Sequence, residues 1–240
     1  MHIRRVHLVA LVAVLIASPI SSNHAAVVQN GSFESGLTGW TVVGGDAGPV
    51  GAAFGISPTN GISQASLNNA GAAAAGETAI ELALNLTAGR LDVLAGGGQP
   101  QATTGTAIFQ TITGILAGEQ LSFDWSFVTN ENFGAPFNQN DFAFWSVTNM
   151  ANPGTILHRA ADPLLPASGG FAFKSAPGRV TYDFTAPGDY ILGFGVMNVI
   201  DGGGASGLLI DNVAVPEPTS LGLLSLVSSG YLVYRRRRNR

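Results

Sequence analysis

The 240-residue chain has no cysteine, a single lysine and four histidines, and only 11% of its residues are charged. The missing cysteines exclude disulfides, so whatever folds must be held by core burial, with or without a metal. His2, His7 and His24 all lie near the N-terminus, leaving His158 alone in the body. One histidine beside Arg159 argues against a histidine-rich zinc centre and against a Ser-His-Asp triad, and reads more simply as a surface residue. No glycine-rich phosphate loop is present, because the glycines at 96–98 and 202–204 lead into strand-like or loop sequence rather than into a helix. Basic charge is the scarcest feature. Seven of the 11 Lys and Arg residues (Arg4, Arg5, Arg235, Arg236, Arg237, Arg238 and Arg240) sit at the two ends. Between Val27 and Val215, Arg90, Arg159, Lys174 and Arg179 face 14 carboxylates, a net charge near −10 that the whole-chain value of −4 conceals. Such a surface has no footprint for nucleic acid or anionic lipid and attracts divalent cations.

What the body does contain is strand pattern. Leu121, Phe123, Trp125 and Phe127 alternate with Ser122, Asp124 and Ser126, the period of two that buries one face. Similar alternation runs over 106–113, 142–148, 179–185, 190–196 and 208–215, separated by Gly, Pro, Asn and Asp clusters. Gly118, Gly178 and Gly188 precede strands and suit tight turns. Gly193 and Gly195 share one face of their strand, predicting a bulky neighbour over a bare surface, while Tyr190, Leu192, Phe194 and Val196 share the other. The tracts 70–76 and 96–105 read as small-residue loops, and no long helical period competes. Many short strands joined by turns predict an all-β, two-sheet sandwich of jelly-roll type.

The last 25 residues differ from the rest. Pro216-Glu217-Pro218 sets an extended joint that neither strand nor helix can cross. The apolar stretch 219–234 would make a helix of about 24 Å, short of a hydrocarbon core of about 30 Å. Five arginines among residues 235–240 then favour the cytoplasmic side and place the body across the membrane. Motif, apolar helix and arginine cluster in this order resemble the PEP-CTERM sorting signal of Gram-negative bacteria. The resemblance implies recognition by an exosortase that cuts near Pro216, Glu217 and Pro218 and releases or attaches the protein at the cell surface. The same ending is also described as an ice-binding protein C-terminal domain, a label with little functional weight.

The N-terminus agrees. A basic region with Arg4 and Arg5, an apolar core at 8–17 and a small, polar stretch at 19–26 read as a secretory signal peptide, cut by signal peptidase after Ala25 or Ala26. The chain therefore divides into a signal peptide at 1–26, an exported domain at 27–215 and a sorting signal at 216–240.

Two segments carry a second resemblance. Asn30-Gly31-Ser32-Phe33-Glu34-Ser35-Gly36-Leu37, with Gly39-Trp40, resembles the opening strand and turn of galactose-binding-like and carbohydrate-binding jelly rolls, and 208–215 resembles their closing strand. In such modules the first and last strands lie side by side, and the resemblance implies a structural calcium held by Glu34 and Asp211. Two carboxylates would need backbone carbonyls, near Asn30 or Ser32, to complete a shell of six to eight oxygens. The alternative is that both carboxylates bond to backbone amides in turns. A third stretch, Asn130 to Asp141, is polar with two aromatics. Phe133, Phe137 and Trp145 offer faces for a sugar ring while Asn138 and Asp141 offer hydrogen bonds, the composition of lectin-like recognition. The same residues also serve a long connection between strands, with Asn and Asp shaping turns. A second calcium, held by Asp141 and Glu131, is a further option. Any two of 14 carboxylates would suffice for glycoside hydrolysis, and nothing singles out a pair. The reading is an exported, non-catalytic surface or exopolysaccharide-associated protein, with a carbohydrate-binding module as its sharper form and an extracellular hydrolase as the alternative.

Overall fold

Alternating strands of this kind bury one face only if a second sheet covers it, and the chain does this twice over. The structure is a computed structural model that describes residues 28–95, 102–131, 141–151, 155–159, 165–166, 170–200 and 204–216. The expected signal peptide and the apolar stretch 219–234 lie outside the described residues, as do Phe133, Phe137 and Asn138. Among the described residues no helix is long and apolar enough to cross a membrane.

One sheet has the strand order β1 (Thr41–Val43), β5 (Ala102–Ile115), β12 (Gly188–Val199), β7 (Phe142–Asn149) and β8 (Thr155–Arg159), with β4 (Ala75–Gly76) also on β5. The other runs β2 (Ala47–Val50), β3 (Gln64–Asn68), β13 (Ser206–Ala214), β6 (Gln120–Thr129), β10 (Phe173–Lys174) and β9 (Leu165–Pro166), with β11 (Gly178–Asp183) also on β6. All the pairings are antiparallel. The chain crosses between sheets from β1 to β2, β3 to β4, β5 to β6, β6 to β7, β8 to β9, β11 to β12 and β12 to β13, which is jelly-roll wiring.

The alternation decides what lies between the sheets. Leu121, Phe123 and Phe127 of β6 meet Tyr190, Leu192, Phe194 and Val196 of β12 in one core cluster. Through it runs a chain of rings: Phe33 on Trp40 at 5.4 Å, Trp40 on Phe194 at 5.8 Å, Phe194 on Phe123 at 4.8 Å and Phe123 on Trp145 at 5.5 Å between centroids. Aromatic burial does here what cross-links do in smaller exported domains.

Two short helices occupy 77–95, a stretch to which the sequence assigned no element, and the expected loop 96–105 gives way to β5 from Ala102. Helix α1 (Glu77–Ala83) and helix α2 (Arg90–Ala95) lie on the outer face of the β5–β12–β7 sheet, burying Ile80, Leu84, Leu91 and Ala95 against Ala107, Phe144, Ile191 and Met197. Leu84 is the bulky neighbour predicted for the bare face, since a Cβ on Gly193 would lie 2.5 Å from its Cδ2. Glu81, only 3% exposed, accepts the backbone N–H groups of Gly89 and Leu91 and so satisfies the open start of α2.

The opening segment also departs from expectation. Residues 30–39 form successive turns rather than a strand, with Asn30, Phe33, Gly36 and Gly39 at positive φ. Asn30 knits them together: its Oδ1 accepts Ser35 N–H while its amide donates to the carbonyls of Gly36 and Thr38. The expected neighbourhood of chain ends is present, because Val213 N–H donates to the Gly31 carbonyl at 2.9 Å.

Candidate functional site

Glu34 and Asp211 converge on one stretch of the β2–β3 connection. Glu34 Oε1 accepts the N–H groups of Ile62 at 2.9 Å and Ser63 at 2.8 Å. Asp211 Oδ2 accepts those of Thr59 and Asn60, both at 2.7 Å, and its Oδ1 accepts Asn212 N–H at 2.6 Å. Four of the five successive amides at 59–63, all but that of Gly61, are thus clamped by a carboxylate from the opening turns and one from the closing strand. Gly61 sits at φ +79° with Glu34 packed over it, where a side chain would be doubly strained.

Calcium requires oxygens whose lone pairs face a common point. Here the lone pairs of Glu34 Oε1 and of both Asp211 oxygens face N–H hydrogens, and the Asn30 Oδ1 is taken by Ser35 N–H. Among the described residues no three Asp, Glu or His side chains gather in a metal-binding group. Backbone amides in turns thus hold Glu34 Oε1 and both Asp211 oxygens, the alternative expected for this pair.

Beside the clamp, on the solvent face of the second sheet, lies a cleft of about 140 Å³ lined in part by Ser57, Thr59, Asp124, Pro177, Leu209 and Asp211. Asp124 and Asp211 are direct cross-strand partners, a like-charge pairing that costs stability unless donors intervene. They do: the Thr59 hydroxyl donates to Asp124 Oδ2 at 2.8 Å, Asn212 Nδ2 donates to the same oxygen at 3.0 Å, and Arg179 reaches Asp124 Oδ1 at 3.2 Å. With both carboxylates engaged in this way, the cleft is a braced surface rather than a free acid and base.

The opposite end of the sandwich carries the second polar centre. Asp141, 3% exposed at the start of β7, accepts Asn69 Nδ2 at 2.6 Å and Val199 N–H at 3.2 Å. Asn69 Oδ1 in turn accepts Ser206 N–H at 2.8 Å, Asn198 Nδ2 donates to the Asn69 carbonyl, and the Ser206 and Thr129 hydroxyls share a 2.6 Å bond. Asn130 donates to the Gly170 carbonyl and accepts Ala172 N–H. Asp141 and Thr129, on either side of the 130–141 connection, are therefore fixed in a buried hydrogen-bonded cluster with the residues after β3 and at the end of β12, while the Asn130 side chain adds exposed bonds. Trp145, four residues further along β7, is half-buried between Phe123 and Tyr182 at 5.5 and 6.2 Å. It belongs to the core rather than to an outer surface, because odd positions of β7 face the other sheet. Sequence reasoning missed Asn69 and Ser206, which carry no pattern of their own and gain meaning only by packing beside Asp141.

Burial pushes the Asp141 carboxyl up from 3.8 to about 7, helped by the charge of Glu131 and opposed by the hydrogen bonds from Asn69, Ser206 and Val199. Burial and the neighbouring charges of Glu81 and Asp92 push Glu77 the same way, to about 7. A carboxyl that holds its proton more tightly folded than unfolded stabilises the fold below its unfolded pKa and loses that contribution as pH rises through the folded value. The domain is therefore expected to be more stable near pH 5 than near pH 8, by roughly 3 kcal/mol from Asp141, in urea unfolding. Asp141→Asn should remove the Asp141 share of that slope and leave the share of Glu77; an unchanged slope would remove the assignment to Asp141.

The fold is that of a jelly-roll β-sandwich whose last strand runs directly into a C-terminal signal. β13 ends at Ala214, Val215 is buried at 7% exposure, and Pro216 is exposed. Residues 214–238 match the PEP-CTERM protein-sorting motif, so the chain carries that signal over about a tenth of its length. No curated protein matches the chain. Among solved structures it is similar to TmCBM61 in complex with beta-1,4-galactotriose, with 11% identity, TM-score 0.44, and 80% of this chain and 97% of that one covered. It is also similar to the K1 cleaved adhesin domain of Lys-gingipain from Porphyromonas gingivalis W83, with 13% identity, TM-score 0.44, and 78% and 96% covered. A family 16 carbohydrate-binding module shows 11% identity, TM-score 0.37, and 78% and 97% covered. At these values the likeness is one of general shape, and the sandwich stands on the strand pairing itself.

Proposed function

We propose that this chain is exported, sorted to the cell surface through its PEP-CTERM motif by an exosortase, and acts there as a non-catalytic domain that binds extracellular polysaccharide. In this reading signal peptidase removes residues 1–26 and the apolar stretch 219–234 holds the protein in the inner membrane until the sorting cut. The observation that supports a binding role is the anchorage of the 130–141 connection. Asp141 at one root and Thr129 at the other are held in buried hydrogen bonds, with Asn130 adding exposed ones, so that a stretch bearing Phe133, Phe137 and Asn138 starts and ends on rigid strands. Aromatic faces with amides beside them suit a polyhydroxylated ring. The carboxylates Glu34, Asp124 and Asp211, engaged by backbone and side-chain donors, serve the scaffold in this reading.

A glycan array on the domain 27–215 tests it. Binding to one class of polysaccharide is expected, weakened about tenfold or more by Phe133→Ala with the thermal midpoint kept. Silence across the array would leave a structural matrix part, and release of reducing sugar lost in Asp124→Asn would replace the binding reading by a hydrolase. Trp145→Ala is expected to act on stability instead, because its ring packs on Phe123.

A further inference from the structure

The junction between the sandwich and its sorting signal has no spacer. Val215 is still part of the core, and only Pro216, Glu217 and Pro218 separate it from the apolar stretch that begins at Thr219. Three residues span at most about 11 Å when fully extended. β13 pairs with β6 from Ser206, opposite Thr129, to Ala214, opposite Ser122. Nine strand residues extend roughly 27 Å. The tether is thus shorter than the body it carries.

These lengths fix which end of the body is close to the anchor. Around the end of β13 stand the turn Leu116 to Glu119 and the turn Phe184 to Pro187. They are bonded to each other through Gly118 N–H to the Phe184 carbonyl at 2.7 Å and Phe184 N–H to the Glu119 carbonyl at 2.9 Å. The cluster of Asn69, Asp141 and Ser206, with both roots of the 130–141 connection, is at the other end of the same strands. Asp183 and Asp189 flank the turn end, whereas Lys174 pairs opposite Val128 and Arg179 opposite Asp124, further along the sheet. Attraction to anionic headgroups therefore does not hold the turn end down; the length of the tether does.

We propose that, before the sorting cut, the domain stands end-on at the outer face of the inner membrane, with turns 116–119 and 184–187 toward the lipid surface and Asn69, Asp141 and Ser206 at the end facing away. The arrangement rests on the reading that residues 219–234 lie in the membrane. It presents the candidate binding end outward while the cut site stays within reach of a membrane-embedded peptidase, and it makes the cut product end directly at the folded core.

The absence of cysteine supplies the test. Thr185→Cys at the turn end and Ala70→Cys at the loop end both fall on exposed residues and each introduce the only thiol of the full chain. Both are expressed in a host without the sorting peptidase, and spheroplasts are treated with a bulky polyethylene glycol maleimide. Ala70→Cys is expected to react about tenfold faster than Thr185→Cys while the chain sediments with membranes, and the two are expected to react alike in detergent. A flexible Gly-Ser insertion between Val215 and Pro216 should remove the difference. Equal rates on membranes without the insertion would overturn the end-on arrangement while leaving the anchor in place. A chain recovered in the soluble fraction would overturn the membrane reading and the arrangement with it.

Discussion

Asp211→Ala is expected to lower the thermal midpoint of the domain by about 10 °C or more, from a loss of roughly 4 kcal/mol. Asp211 is 2% exposed, and its carboxylate accepts the N–H groups of Thr59, Asn60 and Asn212. Alanine removes the charged acceptor from three part-buried donors beside the cleft, and a hydrogen bond to a charged group contributes about 1.5–3 kcal/mol. The neighbouring Asp124 keeps its bond from Arg179 but shares the Thr59 hydroxyl with a partner that is gone. Asp211→Asn retains one acceptor and should fall between alanine and the parent. Glu34→Ala, at an exposed position, should cost only about 1 kcal/mol. Scanning calorimetry of all three, with calcium and then with EDTA, separates a clamp made of amides from one made of a cation. The midpoint of the parent is expected not to move with calcium. A calcium-dependent rise that disappears in Asp211→Ala would put a metal where the amides are.

This clamp also shows what a sequence can and cannot convey. That the opening segment and the closing strand would lie side by side was legible from the resemblance, and Val213 does bond to Gly31. What Glu34 and Asp211 bond to was not: residues 59–63 are about 150 positions from Asp211, and a backbone N–H has no side-chain signature. The same asymmetry runs through the fold. Strands β6, β7, β11, β12 and β13 follow from alternation, because each sends alternate residues toward the core between the sheets. Helices α1 and α2, of seven and six residues, are too short to show a period, and Ile80, Leu84 and Leu91 become a stripe only once the outer face of β12 lies beneath them. Trp145 looked like a ligand platform because aromatic composition does not reveal direction; the pairing of β7 with β12 turns it inward.

The bare face of β12 carries the second large prediction. Gly193 lies on a strand paired on both sides, opposite Phe109 of β5 and Ser146 of β7. A Cβ there would stand 2.5 Å from Leu84 Cδ2 and 2.7 Å from Ser146 Oγ. Both distances are shorter than real side chains tolerate, and valine adds two further methyl groups. The strand cannot retreat, since its other face packs Leu192 and Phe194 into the inter-sheet core. The helices are the part able to move. Gly193→Val is therefore expected to lift α1 and α2 from the sheet, uncovering Ile80, Leu84 and Leu91, each now fully buried. The cost is roughly 4 kcal/mol or more, at the upper end of overpacking because several side chains lose burial together. Urea unfolding gives the total, and limited proteolysis between α1 and α2 reports the hairpin alone. Leu84→Ala by itself should cost about 3 kcal/mol through the cavity it leaves. In combination with Gly193→Val it should recover part of the loss, because the space it vacates is the space valine needs. A coupling of about 1–3 kcal/mol in that double-mutant cycle would identify Leu84 as the group that covers the bare strand; additivity would mean that valine is resisted by the strand backbone and Ser146 instead.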